Sequence, residues 1–259
     1  MSSNAPIGVY DSGFGGLSVW RELRRLLPEE SLIYLGDGKN CPYGGRSRED
    51  IEGFAIAAVE RLVERGVKMV VVGCNTATTA AVATLRQRWD DMPIVGLEPA
   101  VKPACLTTRT RKIAVLATAH SLSSDMFLAT AARYADDVEV VKVVGEGFVE
   151  LVERNMEHSV EAEMLVRKAV EPLLERGVDK IVLGCTHYPF LKETISRFFP
   201  AQTALVDGNL GTVRQLRRRL EPEDLLSDGP GGQVEFLSSL DGEEPIRRMK
   251  AMLELWRSC

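Results

Sequence analysis

The stretch AVERLVERGVKMVVVGC, residues 58–74, returns 111 residues later as AVEPLLERGVDKIVLGC, residues 169–185. Eleven of the 17 positions are identical, where ordinary residue frequencies give about one by chance. Each copy reads as an amphipathic helix closed by a glycine, Gly66 or Gly177, then a short apolar run ending in Gly-Cys at the mouth of the next helix. The identities include exposed Glu and Arg as well as apolar positions, so they point to duplication rather than to the generic pattern of helix, glycine and Val-rich strand.

Outward from this pair the repeat stays in register. PIGVYD at 6–11 faces KIAVLAT at 112–118, and IVGLE at 94–98 faces ALVD at 204–207. Strands are predicted near 6–10, 31–35, 69–73, 93–97, 112–117, 138–144, 180–184 and 203–206, separated by helical patterns. That alternation implies an α/β fold of two pseudo-symmetric lobes, each a mainly parallel sheet flanked by helices, with the active site in the cleft between them. The segment 98–111 carries two prolines and is the expected crossing. After it, 209–220 reads as helix, 227–232 as a Gly/Pro-rich loop, 233–237 as a late strand and 245–257 as a final helix. This tail has no second copy and is expected to complete the first lobe, so the domains read as 1–98 with 209–259, and 99–208.

Composition narrows the class. The 259 residues are 45% hydrophobic and 27% charged with a net charge of −5 and no basic block, which speaks against a nucleic-acid or anionic-membrane surface. No apolar run reaches the roughly 18 residues of a membrane span, and the start MSSNAP lacks the pattern of a signal peptide, so a cytoplasmic protein is expected. The five cysteines, at 41, 74, 105, 185 and 259, include no C-x-x-C pair, and only one of three histidines, His187, lies beside a cysteine. Neither a disulfide framework nor a metal site is expected.

Chemistry concentrates after the strands. DSGFGGLS, 11–18, follows the first strand and opens a helix, so its glycines let backbone amides approach an anion. A dinucleotide reading, with Gly13, Gly15 and Ser18 as fingerprint and Asp37 as ribose acid, is the weaker alternative, because Asp11 would repel a pyrophosphate. Cys74 lies at the carboxyl end of a buried strand before a helix N-terminus, where open α/β sheets gather ligands and where the dipole favours a thiolate. A buried structural cysteine is the other reading of Cys74 alone. Cys185 holds the matching position and His187 follows two residues on, near enough to exchange a proton if the turn folds back, a helix-capping histidine being the other reading. A Cys/His protease dyad fits that segment locally but leaves Cys74 and the duplication unexplained. Matched thiols on two related lobes suit a reaction needing one acid/base group on each face of its substrate, and racemisation has that symmetry.

DSGFGGLS, GDGKNCPYGGRS at 36–47, GCNTA at 73–77 and LGCTHYPFL at 183–191 together resemble glutamate racemase, of the aspartate/glutamate racemase superfamily. The resemblance implies two α/β lobes enclosing glutamate, no cofactor, supply of D-glutamate for peptidoglycan, and a homodimer. It implies Cys74 and Cys185 as the two acid/base residues, the first acting on D-glutamate and the second on L-glutamate, with Asp11 assisting Cys74 and His187 assisting Cys185. ELVERN at 150–155 resembles a family segment that makes Glu153 a further carboxylate. Ser12, Asp37, Pro42, Tyr43, Gly44, Asn75, Thr76, Thr118, Ser121 and Thr186 would line the pocket. Ser121 stands where threonine is usual, VGEG at 144–147 lacks the usual Cys-Pro, VDG at 206–208 replaces Asp-Ser, and Cys41 is an extra thiol. A superfamily racemase for aspartate or another amino acid is the alternative reading. A two-lobed solute-binding module would keep the cleft but would not need the matched thiols.

Overall fold

Val-rich runs such as MVVV leave no polar face for water, so they suit strands buried on both sides of a parallel sheet. The structure, a computed structural model, describes residues 4–229 and 232–255. Its strands are β1 Ile7–Asp11, β2 Leu32–Gly36, β3 Met69–Val72, β4 Ile94–Gly96, β5 Lys112–Ala117, β6 Glu139–Val144, β7 Lys180–Leu183, β8 Ala204–Asp207 and β9 Val234–Ser238. One sheet runs β4-β3-β1-β2-β9 and the other β6-β5-β7-β8, and every ladder within them is parallel. Taken from its other edge, the second sheet is β8-β7-β5-β6, which repeats β4-β3-β1-β2 strand for strand. The duplicated sequence is thus a duplicated topology.

The chain forms two compact units, Met1–Leu97 with Asn209–Cys259, and Glu98–Gly208. In the first, β9 pairs along β2 from Leu32↔Val234 to Gly36↔Ser238, adding a fifth strand that has no counterpart in the second. The final helix is Glu244–Leu255. The last two residues of the helix expected over 245–257, Pro230 and Gly231 of the glycine-rich loop, the first three residues of the chain and Cys259 lie outside the described residues.

Local chemistry explains the element ends. The helices Arg48–Val63 and Val160–Leu174 begin on Ser47 and Ser159, whose hydroxyls accept the amides of Asp50 and Ala162, satisfying donors that a helix start leaves unpaired. Gly66 and Gly177 close the repeated helix turns at φ of 70° and 69°, a conformation that favours glycine. The next repeat position but one holds opposite charges. Lys68, 0% exposed, pairs with buried Glu30 at 2.6 Å and donates to the Leu225 carbonyl, tying down the tail. Asp179 instead accepts from Thr108 Oγ1 at 2.5 Å, the Arg109 amide at 2.7 Å and Thr110 Oγ1 at 3.2 Å.

The segment 98–111 is more than the plain crossing its prolines suggest, since it contains the helix Val101–Thr107. Pro103 falls in its first turn, where no intrahelical N–H is needed, so the proline does not break it. Val101, Ala104 and Cys105 pack in a buried cluster with Ile113, Val115, Phe127 and Val182 of the second unit. Among the described residues no helix is long and apolar enough to cross a membrane.

Candidate active site

In the first unit, Gly73 makes the last ladder bond after β3, its N–H donating to the Tyr10 carbonyl at 2.7 Å. Cys74 then leaves the sheet and caps the helix Asn75–Arg88, its sulfur accepting the Ala77 amide at 3.4 Å. The thiol donates to Ser12 Oγ at 3.5 Å. Cys74 is 4% exposed and Ser12 equally so. Asp11 ends β1 fully buried; its carboxylate accepts the Gly13 amide at 2.8 Å and its carbonyl the Asp37 amide at 2.9 Å. Tyr34 Oη donates to the Gly13 carbonyl at 2.7 Å, so the glycine loop is held from both its start and its floor.

The other residues singled out in this unit fall around that loop. Asp37 follows β2 and its carboxylate accepts from Tyr43 Oη at 2.6 Å and from Asn40 Nδ2 at 2.9 Å. Pro42 follows a cis peptide after Cys41, and Tyr43 and Gly44 belong to a single 3-10 turn, Tyr43–Gly45. Asn75 donates to the Leu97 carbonyl at 3.4 Å, and the buried Thr76 lends its carbonyl to Thr79 Oγ1 at 3.0 Å.

The second unit repeats the backbone and changes the side chains. Gly184 N–H donates to the Leu116 carbonyl at 2.7 Å, the counterpart of the Gly73 bond. A Cβ on Gly184 would stand 2.9 Å from Ala117 Cβ, so close approach of the strands explains the glycine. Cys185 follows, but the α-helix expected at its mouth is absent: the chain turns through Tyr188–Leu191 in a 3-10 turn and only then forms the short helix Lys192–Ser196. Pro189 lacks the amide that a helix continuing past it would need. Cys185 therefore has a side chain beside it where Cys74 has a long helix N-terminus. Its sulfur lies 3.8 Å from His187 Nδ1, and His187 Nε2 lies 2.6 Å from Glu153 Oε1.

That geometry dictates proton positions. An ionised Glu153 accepts only, so Nε2 carries the proton between them, and Nδ1 is left to take the thiol's proton or, once it has it, to face a thiolate. Glu153 ends the helix Phe148–Glu153, which starts at Gly147 with φ 77°. Phe148 meets the Tyr188 ring edge-on at 5.1 Å, and Tyr188 Oη donates to the Gly145 carbonyl at 3.2 Å. This packing ties the turn after Cys185 to the start of the Glu153 helix. Thr118 caps the helix Ala119–Ser123, accepting the Ser121 amide at 3.2 Å and donating to Ser121 Oγ at 3.0 Å, while Thr186 is buried beside Cys185.

Three tyrosines, Tyr10, Tyr34 and Tyr188, are not among the residues singled out from the sequence. In strands and turns this apolar a buried tyrosine looks like any aromatic, and only its partner reveals the hydroxyl's use. Burial, then the neighbouring Cys74 charge, pushes the Tyr10 phenol well above its usual range; burial, then Cys185, does the same to Tyr188. Both remain neutral donors wherever thiols titrate.

The profile of the family described as Asp/Glu/Hydantoin racemase matches residues 9–216. A glutamate racemase of Ectopseudomonas mendocina is 45% identical over 253 residues, spanning 98% of this chain and 95% of that relative. The crystal structure of Escherichia coli glutamate racemase in complex with L-glutamate and the activator UDP-MurNAc-Ala superposes with a TM-score of 0.86 at 30% identity, covering 97% of this chain and 95% of that one. The Francisella tularensis glutamate racemase in complex with D-glutamate gives 0.83 at 27% identity, covering 96% and 93%. From the duplicated sheets to the residues after each Gly-Cys, sequence and fold agree, and the chain belongs to the Asp/Glu/Hydantoin racemase family.

Proposed function

We propose that this chain interconverts L- and D-glutamate without a cofactor, by a two-base mechanism in which Cys74 takes the α-proton of D-glutamate and Cys185 that of L-glutamate. The observation that carries the reading is the repeated thiol: each follows the same ladder bond in its own sheet, and each has a hydrogen-bonding neighbour of its own. Relatives that bind both enantiomers support glutamate as the substrate.

On each turnover one cysteine is a thiolate and the other a thiol. The thiolate accepts the α-proton, the thiol delivers its proton to the opposite face, and the enzyme is left in the complementary state. The α-proton of a zwitterionic amino acid is far less acidic than a thiol, so developing charge on the substrate must be stabilised by preorganised donors. Amides of the loop after Gly13 and the hydroxyls of Ser12, Ser121 and Thr186 supply such donors, with Thr118 orienting Ser121. Asp11 and Ser12 serve Cys74, whereas His187 and Glu153 serve Cys185. Asp37, the Pro42–Gly44 turn, Asn75 and Thr76 hold the substrate. The D-glutamate so formed enters peptidoglycan synthesis.

Circular dichroism of L-glutamate incubated with the pure protein and no added cofactor tests the activity, with aspartate enantiomers as the competing substrates. The ellipticity is expected to decay to zero for glutamate. In D₂O the product enantiomer should carry deuterium at the α-carbon while recovered substrate carries little at early times. Equal early labelling of both enantiomers would reject two bases in favour of one.

A further inference from the structure

Tyr10 is fully buried at the carboxyl end of β1, and its hydroxyl donates to Tyr43 Oη at 2.7 Å. Tyr43 in turn donates to Asp37 Oδ2 at 2.6 Å. The direction of this chain is set by its end: an ionised carboxylate only accepts, so Tyr43 must spend its proton on Asp37 and can receive one only from Tyr10. The duplication supplies an internal control. The residue whose carbonyl receives the Gly184 amide is Leu116, where Gly73 bonds Tyr10, and Leu116 is equally buried. A β-strand of this fold therefore fills that slot with a hydrocarbon when packing is all that is needed. The phenol at Tyr10 adds a buried hydroxyl that must be paired.

We propose that Tyr10 is a positioning residue of the first half-site, holding Tyr43, and through it Asp37 and the Pro42–Gly44 turn, in the arrangement that receives the substrate. The inference rests on the racemase reading. Without the Tyr10 hydroxyl, Tyr43 keeps its bond to Asp37 but loses the second hydrogen bond that fixes its ring, and the turn gains freedom. The hydrogen-bonded chain runs from Tyr10 to binding groups, and although Tyr10 also stands near the Cys74 charge, replacing a neutral phenol by a phenyl ring leaves the net charge there unchanged, so the loss falls on KM and leaves kcat.

Tyr10→Phe, Tyr43→Phe and the double variant, assayed from each glutamate enantiomer, test this. Tyr10→Phe is expected to raise KM about ten-fold in both directions, as leaving a buried acceptor unfilled implies, with kcat within about two-fold of wild type. In the Tyr43→Phe background the Tyr10 hydroxyl has already lost its partner, so the second substitution should change KM by less than about two-fold. A merely structural Tyr10 would lower the melting temperature and shift KM by the same factor in both backgrounds, and either that or an unchanged KM overturns the proposal. Should Tyr10→Phe fail to fold, Tyr43→Phe alone cuts the same chain one link further on, and an unchanged KM there overturns it equally. A wild-type protein that does not racemise glutamate refutes the function reading, and this inference with it; an active wild type with indifferent variants refutes this inference alone.

Discussion

Replacing Glu153 by Gln probes the proposed support of Cys185 through His187. The 2.6 Å approach of Glu153 Oε1 to His187 Nε2 has the geometry of a charge-assisted hydrogen bond, with His187 2% and Glu153 19% exposed along their side chains. Bonds to a charged group contribute about 1.5–3 kcal/mol when buried, and the partial exposure of Glu153 moves the expectation to the lower end, because water can replace part of the loss. About 1.5–2 kcal/mol corresponds to roughly 10- to 30-fold in rate. The amide does more than weaken the bond: its N–H₂ can donate to Nε2, stabilising the tautomer whose Nδ1 carries the proton and can no longer accept one from Cys185. The enantiomers are equal in free energy, so kcat/KM must fall by the same factor from L- and from D-glutamate. Initial rates by circular dichroism from each enantiomer, with a melting curve to show that the fold persists, measure this. A kcat/KM within about two-fold of wild type, in a folded variant, would refute the proposed link from Glu153 through His187 to the thiol.

Three further outcomes are expected. Cys74→Ala and Cys185→Ala should each lower racemisation by at least about 10² to 10⁴ while leaving the far-ultraviolet spectrum unchanged, and one variant with near-normal turnover in both directions would remove the two-thiol mechanism. His187→Asn and Asp11→Asn should lower kcat unequally for the two enantiomers and with opposite preference, KM compensating; identical kcat losses in both directions for both variants would reject one helper per cysteine. Burial alone would raise the Asp179 carboxyl, but bonds from Thr108, Arg109 and Thr110 outweigh it and hold the group below the usual aspartate range. A depressed folded value means that its stabilisation is present above the unfolded value of about 3.9 and is lost as pH falls through the lower folded one. Asp179→Asn should therefore melt below wild type at neutral pH, with the gap closing below about pH 4; a gap independent of pH would show that the charge is not what the loop uses.

Short-range features are legible in the amino-acid sequence. Central strand positions such as β1 and β3 follow from apolar runs, which are unbroken because these strands are buried on both faces. The repeat places Cys74 and Cys185 at equivalent strand ends, and two residues of separation put His187 near Cys185. Periodicity fails where one residue overrides it. Pro189 replaces an expected helix with a 3-10 turn, and Pro103, which reads as a breaker, sits in the one turn of Val101–Thr107 that tolerates it. Lys68, in a repeated helix-to-strand turn, is buried against Glu30, 38 positions away along the chain.

The amino-acid sequence by itself determined the duplicated α/β plan and the two Gly-Cys strand ends, because the apolar pattern of an element and the residues that end it lie within a few positions of one another. Only the tertiary structure decided which side chains meet: His187 with Glu153, Cys74 with Ser12, Tyr10 with Tyr43 and Asp37. Each of these pairs joins separate elements of one sheet's loop edge. Parallel strands require crossovers, and the crossovers return distant segments to the same edge, so the contacts depend on how the strands are ordered and not on how the residues are spaced.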